Sequence, residues 1–380
     1  MTKGALWRLA VERGVARILK TIESKINRSP EVYVDQMVSE YREMWQAVAQ
    51  ELGARFIVLT DELWELELKG QRTRILNYKL EFDNPVILDV AGMKPLMYRL
   101  MKKNGLQVPD HRTFRLETLE EAEQFLCHHP KGCVVKPAHD TSSGHGVTTH
   151  IQTVKQLRQA AILASLYCRD LLIEMLVPGE SYRLLLLHGE VVHAVRRSGF
   201  KLRGDGLATV VELIHEENAR RKRSGNLSSV EIDDDCYFTL GYQNLSLQSV
   251  PSKNESFLVK TVNSPRKGIE VRTIYNEAVT EILCPSLRGD AELAARILGS
   301  DFLGVDVITT DPTIPLEKSG GVISEVNTTP GLHHHYRRGT ERFPSAALEA
   351  VAFLLDRKST FGGLRIPLET EEQIRKSSMS

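Results

Sequence analysis

The chain has 380 residues, 42% of them apolar, which is too long for one core and ample for two or three. Its 49 Lys and Arg against 49 Asp and Glu give a net charge of zero, so there is no bulk electrostatic case for nucleic acid or an anionic membrane as partner. Five scattered cysteines, none in a CxxC pair, argue against a disulfide framework or a zinc site and fit a reducing cytoplasm, and no apolar run approaches the roughly eighteen residues needed to span a bilayer.

Residues 6–22 read as an amphipathic basic helix without a signal-type apolar core, expected to pack on its own domain. Residues 31–52 follow the helical period, with Met37, Tyr41, Trp45, Val48 and Leu52 on one face and Gly53 as the cap. A strand is expected at 55–59, then a hairpin of 63–68 with 73–76 across Lys69-Gly70, and a short apolar strand at 85–90. These elements form a first α/β domain, residues 1–91.

Residues 93–104 should be a helix stopped by Gly105. Thr118-Leu119-Glu120-Glu121 reads as a capping box that opens another helix. Strands at 133–136 and 147–151 flank a glycine loop, Thr153 starts a helix running to about 168, and 171–176 is a strand broken by Pro178-Gly179. Residues 92–178 therefore form a small central α+β unit. The remainder, 179–380, opens with a hairpin of 182–187 and 190–195 joined at His188-Gly189. Helices follow at 208–223 and 234–242, within a polar excursion near 200–256. A strand at 257–262, a helix at 290–298 and a last helix at 345–355 complete the pattern.

Two segments near the C-terminal end carry the clearest chemistry. Gly304-Val305-Asp306-Val307-Ile308 and Val322-Ile323-Ser324-Glu325-Val326-Asn327 are short apolar strands with hard oxygen donors set among the apolar residues. Glu325 and Asn327 are two apart and share a strand face. With Asp306 they suit Mg²⁺ that also holds phosphates.

Upstream, Val134-Val135-Lys136-Pro137 is a buried strand ending in lysine. It leads into Ser142-Ser143-Gly144-His145-Gly146, a loop of small residues whose N–H groups can approach phosphate oxygens. The loop is not a P-loop, because no GK[ST] follows. Lys94 begins a helix, where a cation is misplaced unless an anion binds there too. Glu174-Met175-Leu176-Val177 ends an apolar strand whose backbone can bond an adenine edge, with Glu180 following. His333-His334-His335 on extended chain does not favour zinc and is expected to line a substrate pocket. No GxSxG nucleophile elbow is present.

Taken in order, these pieces resemble the ATP-grasp superfamily, and within it the ATP-grasp portions of cyanophycin synthetase and the bifunctional glutathione synthetases. The likeness covers residues 92 to about 340 and includes Tyr182-Arg183-Leu184-Leu185 and Glu325-Val326-Asn327-Thr328-Thr329-Pro330-Gly331. It implies a three-domain α/β (α+β) ATP-grasp fold with the nucleotide held between two subdomains, ATP and Mg²⁺ as cofactors, and, as a family expectation, a homodimer.

By the resemblance, Lys94 and Lys136 bind the ATP phosphates and Ser142, Ser143, Gly144, His145 and Gly146 close over them. Glu174, Met175 and Val177 hold adenine, with Glu180 near the ribose. Asp306, Glu325 and Asn327 coordinate Mg²⁺, while Arg183, Lys260, Asn263 and Arg266 sit near the acyl phosphate and substrates.

Two departures stand out. Ser181 occupies the place of the usual ribose acid, with Glu180 one residue earlier, and Asn263-Ser264-Pro265-Arg266-Lys267-Gly268 is more basic than the usual substrate loop. The latter hints at an anionic substrate. No Mur-ligase-like or γ-glutamylcysteine ligase segment is read in the sequence, so the resemblance does not imply the two-step polymerisation of cyanophycin synthetase; what it implies is ATP-dependent joining of a carboxylate, of an amino acid or peptide, to an amine. The alternatives are an ATP-binding regulatory protein that has lost turnover, and phosphotransfer to a small molecule.

Overall fold

The computed structural model describes residues 3–26, 30–139, 145–223, 230, 232–260, 277–336 and 341–357. Helices α1 (Lys3–Ile26) and α2 (Pro30–Leu52) precede a four-stranded antiparallel sheet of β1 (Arg55–Val58), β2 (Leu63–Leu68), β3 (Gln71–Leu76) and β4 (Lys79–Leu80) in sequential order. The α2 face carrying Tyr41, Trp45 and Val48 packs on Trp64, Leu66 and Ile75 of this sheet.

The expected strand at 85–90 is instead a helix, α3 (Pro85–Gly92). An apolar run of this length does not by itself separate strand from helix. The flanking chemistry decides it: Asn84 Oδ1 accepts the Ile87 N–H at 3.1 Å and Pro85 takes the first helical position. Helix α4 (Lys94–Lys103) follows after a one-residue break.

A second sheet has the order β5-β8-β6-β7, from β5 (His111–Phe114), β6 (Cys133–Pro137), β7 (Thr148–Ile151) and β8 (Leu171–Met175), with α5 (Leu119–His128) and α6 (Val154–Ala164) between them in sequence. The expected capping box at Thr118 is not used as such. The Thr118 hydroxyl accepts the Arg115 N–H at 3.1 Å and closes a 3-10 turn ahead of α5. Thr153 does cap α6 reciprocally with Gln156, but the helix ends at Ala164 rather than near 168. One sheet face packs Cys133, Val135, Leu171 and Ile173 against α5, α6 and Leu9 of α1. The alternate residues Lys136, Leu172 and Glu174 look the other way.

The largest sheet has the order β13-β10-β9-β14-β15. Its first strands are β9 (Glu180–Leu187) and β10 (Glu190–Arg197), joined at His188-Gly189 as the alternation predicts. A separate excursion follows, comprising β11 (Phe200–Arg203), α7 (Val210–Arg223), α8 (Asp234–Tyr242) and β12 (Ser256–Lys260) around its own core of Phe200, Val210, Leu240 and Phe257. The chain re-enters the sheet through β13 (Glu277–Ala278). Then come α9 (Pro285–Leu298), β14 (Phe302–Thr309), α10 (Leu316–Ser319), β15 (Val322–Thr328) and α11 (Ser345–Arg357).

One face of this sheet, with Leu184, Leu186, Leu303, Val305 and Val307, packs on α9 and α4. On the other face, Leu185, Leu187 and Phe302 join the core of α2 and α11. Further along that same face the apolar residues give way to Arg183 and Asp306, which are directly opposite on β9 and β14.

Gly179, between β8 and β9, has φ +126, and a Cβ there would lie 2.3 Å from the Thr309 carbonyl carbon. Both backbone conformation and backbone contact demand glycine. Gly179→Ala is therefore expected to lower stability by roughly 3 kcal/mol, read as a shifted midpoint in urea unfolding. Among the described residues, no helix is long and apolar enough to cross a membrane.

Candidate active site

Helix α4 lies along the edge of β15 and ties the two larger sheets together. Ile323 donates its N–H to the Gln107 carbonyl at 2.8 Å, just past α4. The Tyr98 hydroxyl reaches the Ser324 carbonyl at 2.5 Å. Tyr98 is 1% exposed and also meets Glu174 Oε2 at 3.0 Å, while Lys136 Nζ donates to Tyr98 Oη at 2.9 Å. Lys136 Nζ and Glu174 Oε2 are 2.8 Å apart and both are buried. Lys136 and Glu174 meet because Val134 is registered with Glu174 on the neighbouring strand, so 136 and 174 share a face diagonally.

Burial alone would pull the Lys136 ammonium down. The Glu174 carboxylate, with Tyr98 and Glu325, outweighs that and raises it, so the lysine stays charged. Burial, reinforced by Glu174, pushes the Tyr98 phenol up, so it remains a hydroxyl donor. On the opposite face, burial pushes the Cys133 thiol up to about 11, which removes it as a thiolate nucleophile.

Lys94, one turn before Tyr98 on α4, reaches Glu325 Oε1 at 3.5 Å. Glu325 is registered with Asp306, and Asn327 with Gly304, so all three oxygen-bearing side chains lie on one face of the β14–β15 pair. Asn327 Nδ2 is 3.4 Å from Asp306 Oδ2. Arg183 grips both Asp306 oxygens, Nε on Oδ1 and Nη2 on Oδ2 at 2.9 Å, and Arg197 Nη2 adds a third arginine contact at 3.0 Å. Gly304 makes this possible: a Cβ there would lie 2.8 Å from Arg183 Cδ, on the path of the side chain.

The structure thus draws together Lys94, Lys136, Glu174, Arg183, Asp306, Glu325 and Asn327. Met175 ends β8 after Glu174 and Val177 lies two residues beyond it, while Glu180 lies at the start of β9 and pairs with Arg196 at 2.9 Å. Lys260, expected near the substrates, ends β12 and is buried against Asp233 at the N-cap of α8. No ion pair or hydrogen bond among the described residues joins it to Arg183 or the oxygen donors. Gly146 has φ +74, and a Cβ on it would meet Tyr167 at 2.9 Å and Pro137 at 3.0 Å, so close packing alone explains that glycine. His145 lies against Tyr167, with ring centroids 5.6 Å apart. Ser142, Ser143, Gly144, Asn263 and Arg266 fall outside the described residues.

Sequence reasoning missed Tyr98, Arg197, Gly304 and the joining of His193 to the His333-His334-His335 run. Tyr98 follows Lys94 by four and so shares its helix face, a signal that was available. The cluster begins at β10, where His193 Nδ1 is 3.0 Å from His335 Nδ1. His334 and His335 are both buried, and His333 Nδ1 is 2.5 Å from the Tyr41 hydroxyl. A cavity of about 480 Å³ lies against α2, where Glu40, Glu43 and Glu341 line it together with Tyr336 and Arg342. None of the cleft residues above lines that cavity.

No family model matches the chain. Among solved structures it is similar to a bifunctional glutathione synthetase from Pasteurella multocida, with a TM-score of 0.54 and 19% identity over 84% of this chain and 43% of that one. The chain has the ATP-grasp fold. Among curated sequences, this ATP-grasp chain is 27% identical over 348 residues to cyanophycin synthetase of Nostoc sp., covering 85% of this chain and 37% of that protein. It is also 27% identical over 266 residues to the glutathione biosynthesis bifunctional protein of Listeria welshimeri, covering 68% of this chain and 33% of that protein. The chain thus spans about a third of the length of the curated relatives it matches.

Proposed function

We propose that the chain is an ATP-dependent ligase that joins the carboxylate of an amino acid or peptide to an amine, with ADP and phosphate released. The observation that carries this reading is convergence on Glu325. Lys94 contacts it, the charge of Lys136 is coupled to it, and Asp306 and Asn327 flank it on the same sheet face. Phosphate-binding cations and hard oxygen donors meet in one cleft between two sheets, as a nucleotide triphosphate requires.

The chemistry is demanding because both partners of the first step are anions. Two unit charges 4 Å apart repel by about 4 kcal/mol at an effective dielectric near 20. Lys94, Lys136 and Arg183 supply the opposing charge from fixed positions. Lys136 uses two of its three donors on Glu174 and Tyr98, leaving the third for a phosphate oxygen. The carboxylate attacks the γ-phosphorus, ADP departs, and the amine then displaces phosphate from the acyl phosphate.

The donor chemistry of Glu325 and Asn327 fits Mg²⁺: both are oxygen ligands, and the Glu325 side chain is one-third exposed at the cleft. Asp306 fits less directly, because Arg183, Arg197 and Asn327 already supply four donors to its two oxygens. Magnesium held by Glu325 and Asn327 would neutralise and orient the transferred phosphoryl group.

The saturation of Asp306 favours, as a second reading, an ATP-binding protein without turnover. A matrix of amino acids and short peptides separates the two. ADP formation that needs both a carboxylate and an amine, with an amide of matching mass, supports the ligase. AMP release would overturn the acyl-phosphate step, and tight ATP binding without turnover across the matrix would favour the silent protein. Under the ligase reading Gly304→Ala pushes Arg183 off Asp306 and is expected to cut ADP release by about 10²-fold, measured as steady-state kcat.

A further inference from the structure

The amine that ends the reaction arrives as an ammonium ion with no lone pair, so the second step needs a proton acceptor. The carboxylates of the cleft are poorly suited to that task. Asp306 receives four donors, Glu174 is locked to Lys136 and Tyr98, and Glu325 faces Lys94. The histidine pair at the end of the same sheet face offers something different. His193 lies on β10 two residues from Val195, which is registered with Arg183, so the pair borders the Arg183–Asp306 site. His335 is 4% exposed, its Nδ1 faces His193, and its Nε2 has no hydrogen-bond partner. A buried polar atom left without a partner is costly, and a substrate group is one way to satisfy it.

We propose that His335 is the base that takes the ammonium proton from the acceptor amine. This rests on the ligase reading. The role requires the tautomer in which His335 Nδ1–H donates to His193 Nδ1 and a lone pair is left on Nε2. The ammonium gives one proton to Nε2, and its freed lone pair attacks the acyl carbon. The C–N bond forms, the C–O bond to phosphate breaks, and the second nitrogen proton leaves with hydrogen phosphate. His335 then returns its proton to solvent.

Burial holds the His335 imidazole well below its usual range, and the neighbouring His334, His193, Arg183 and His333 add to that, so it stands neutral, with protonation opposed until charge arrives nearby. His193 is lowered by burial too, with Glu341 opposing. The acyl phosphate brings negative charge to Arg183, which relieves the field opposing protonation at the step that needs it.

Hydroxylamine tests this, because it is largely unprotonated at neutral pH and traps an acyl phosphate without a base. The wild type, given MgATP and the amino acids as carboxylate donors, should form hydroxamates. His335→Gln should keep hydroxamate formation within about threefold while amide formation with amino acids as amine donors falls about 10²-fold or more. His193→Asn should show the same selective loss to a smaller degree. Should either variant fail to fold, the wild-type profile decides: with a histidine base the amide rate is level across neutral pH, whereas without one it rises about tenfold per pH unit with the fraction of free amine. Equal losses with both nucleophiles, no loss with either, or an amide rate that rises about tenfold per pH unit would overturn the assignment of His335 alone. A wild type that yields neither hydroxamate nor ADP would overturn the ligase reading, and this inference with it.

Discussion

Replacing Lys136 with methionine is expected to abolish measurable MgATP binding and to destabilise the protein at the same time. The two effects have one cause. Lys136 is 7% exposed, with Glu174 2.8 Å away and Tyr98 2.9 Å away, so its removal leaves a carboxylate buried without a cation. Breaking such a pair from one side costs roughly 3–5 kcal/mol. Lys136→Met with Glu174→Leu removes both charges and should recover most of that stability, because a buried pair replaced by apolar side chains of similar size is often neutral.

Binding should not return in the double variant, since the ammonium that meets the phosphates is still missing. Urea unfolding reads the first effect and calorimetric titration with MgATP the second. If the double variant is stable and binds MgATP as the wild type does, Lys136 is a structural ion and the nucleotide lies elsewhere.

Much of the fold could be read from local pattern. The β9–β10 hairpin follows from alternation and the His188-Gly189 turn. Where local pattern failed, a competing signal was present but outweighed. Val86, Ile87 and Leu88 suggested a strand, while Asn84-Pro85 had already set a helix start. His111–Phe114 was missed because four residues with only one buried apolar side chain carry almost no period; its pairing with β8 is what makes it a strand.

The site divides in the same way. Glu325 and Asn327 could be placed on one face because strand period is local, whereas the place of Asp306 on that face comes from the register of β14 with β15. Arg197, His193 and the grip of Arg183 on Asp306 depend on register between β9, β10 and β14. A bulge between Val191 and His193 shifts that register, and no single segment reveals it. Lys260 shows the converse failure: its place in the chain order suggested the cleft, but a buried partner, Asp233, holds it in the excursion.

Asp306→Asn and Glu325→Gln should part company in a way that tells the structural carboxylate from the functional one. Asp306 is 4% exposed and is the shared acceptor for Arg183 and Arg197, so neutralising it leaves two buried guanidinium groups facing an amide. That is expected to cost about 3–5 kcal/mol of stability together with activity. Among the described residues Glu325 forms an ion pair with Lys94 alone, at 3.5 Å, and its side chain is one-third exposed. A pair with that much solvent contributes little, so Glu325→Gln should hold stability within about 1 kcal/mol of wild type.

Under the proposed function, turnover of the Glu325 variant should nonetheless fall about 10³-fold, because the proposed charged ligand for the phosphate-bound cation has become a neutral amide. Urea unfolding beside ADP release over a range of Mg²⁺ concentrations gives both readings on one preparation. An Asp306→Asn protein as stable as wild type would mean that the two arginines do not depend on that carboxylate. A Glu325→Gln protein with undiminished turnover at low Mg²⁺ would remove Glu325 from the metal set. Loss of stability in Glu325→Gln equal to that in Asp306→Asn would instead place the Lys94–Glu325 contact in the framework that joins α4 to β15.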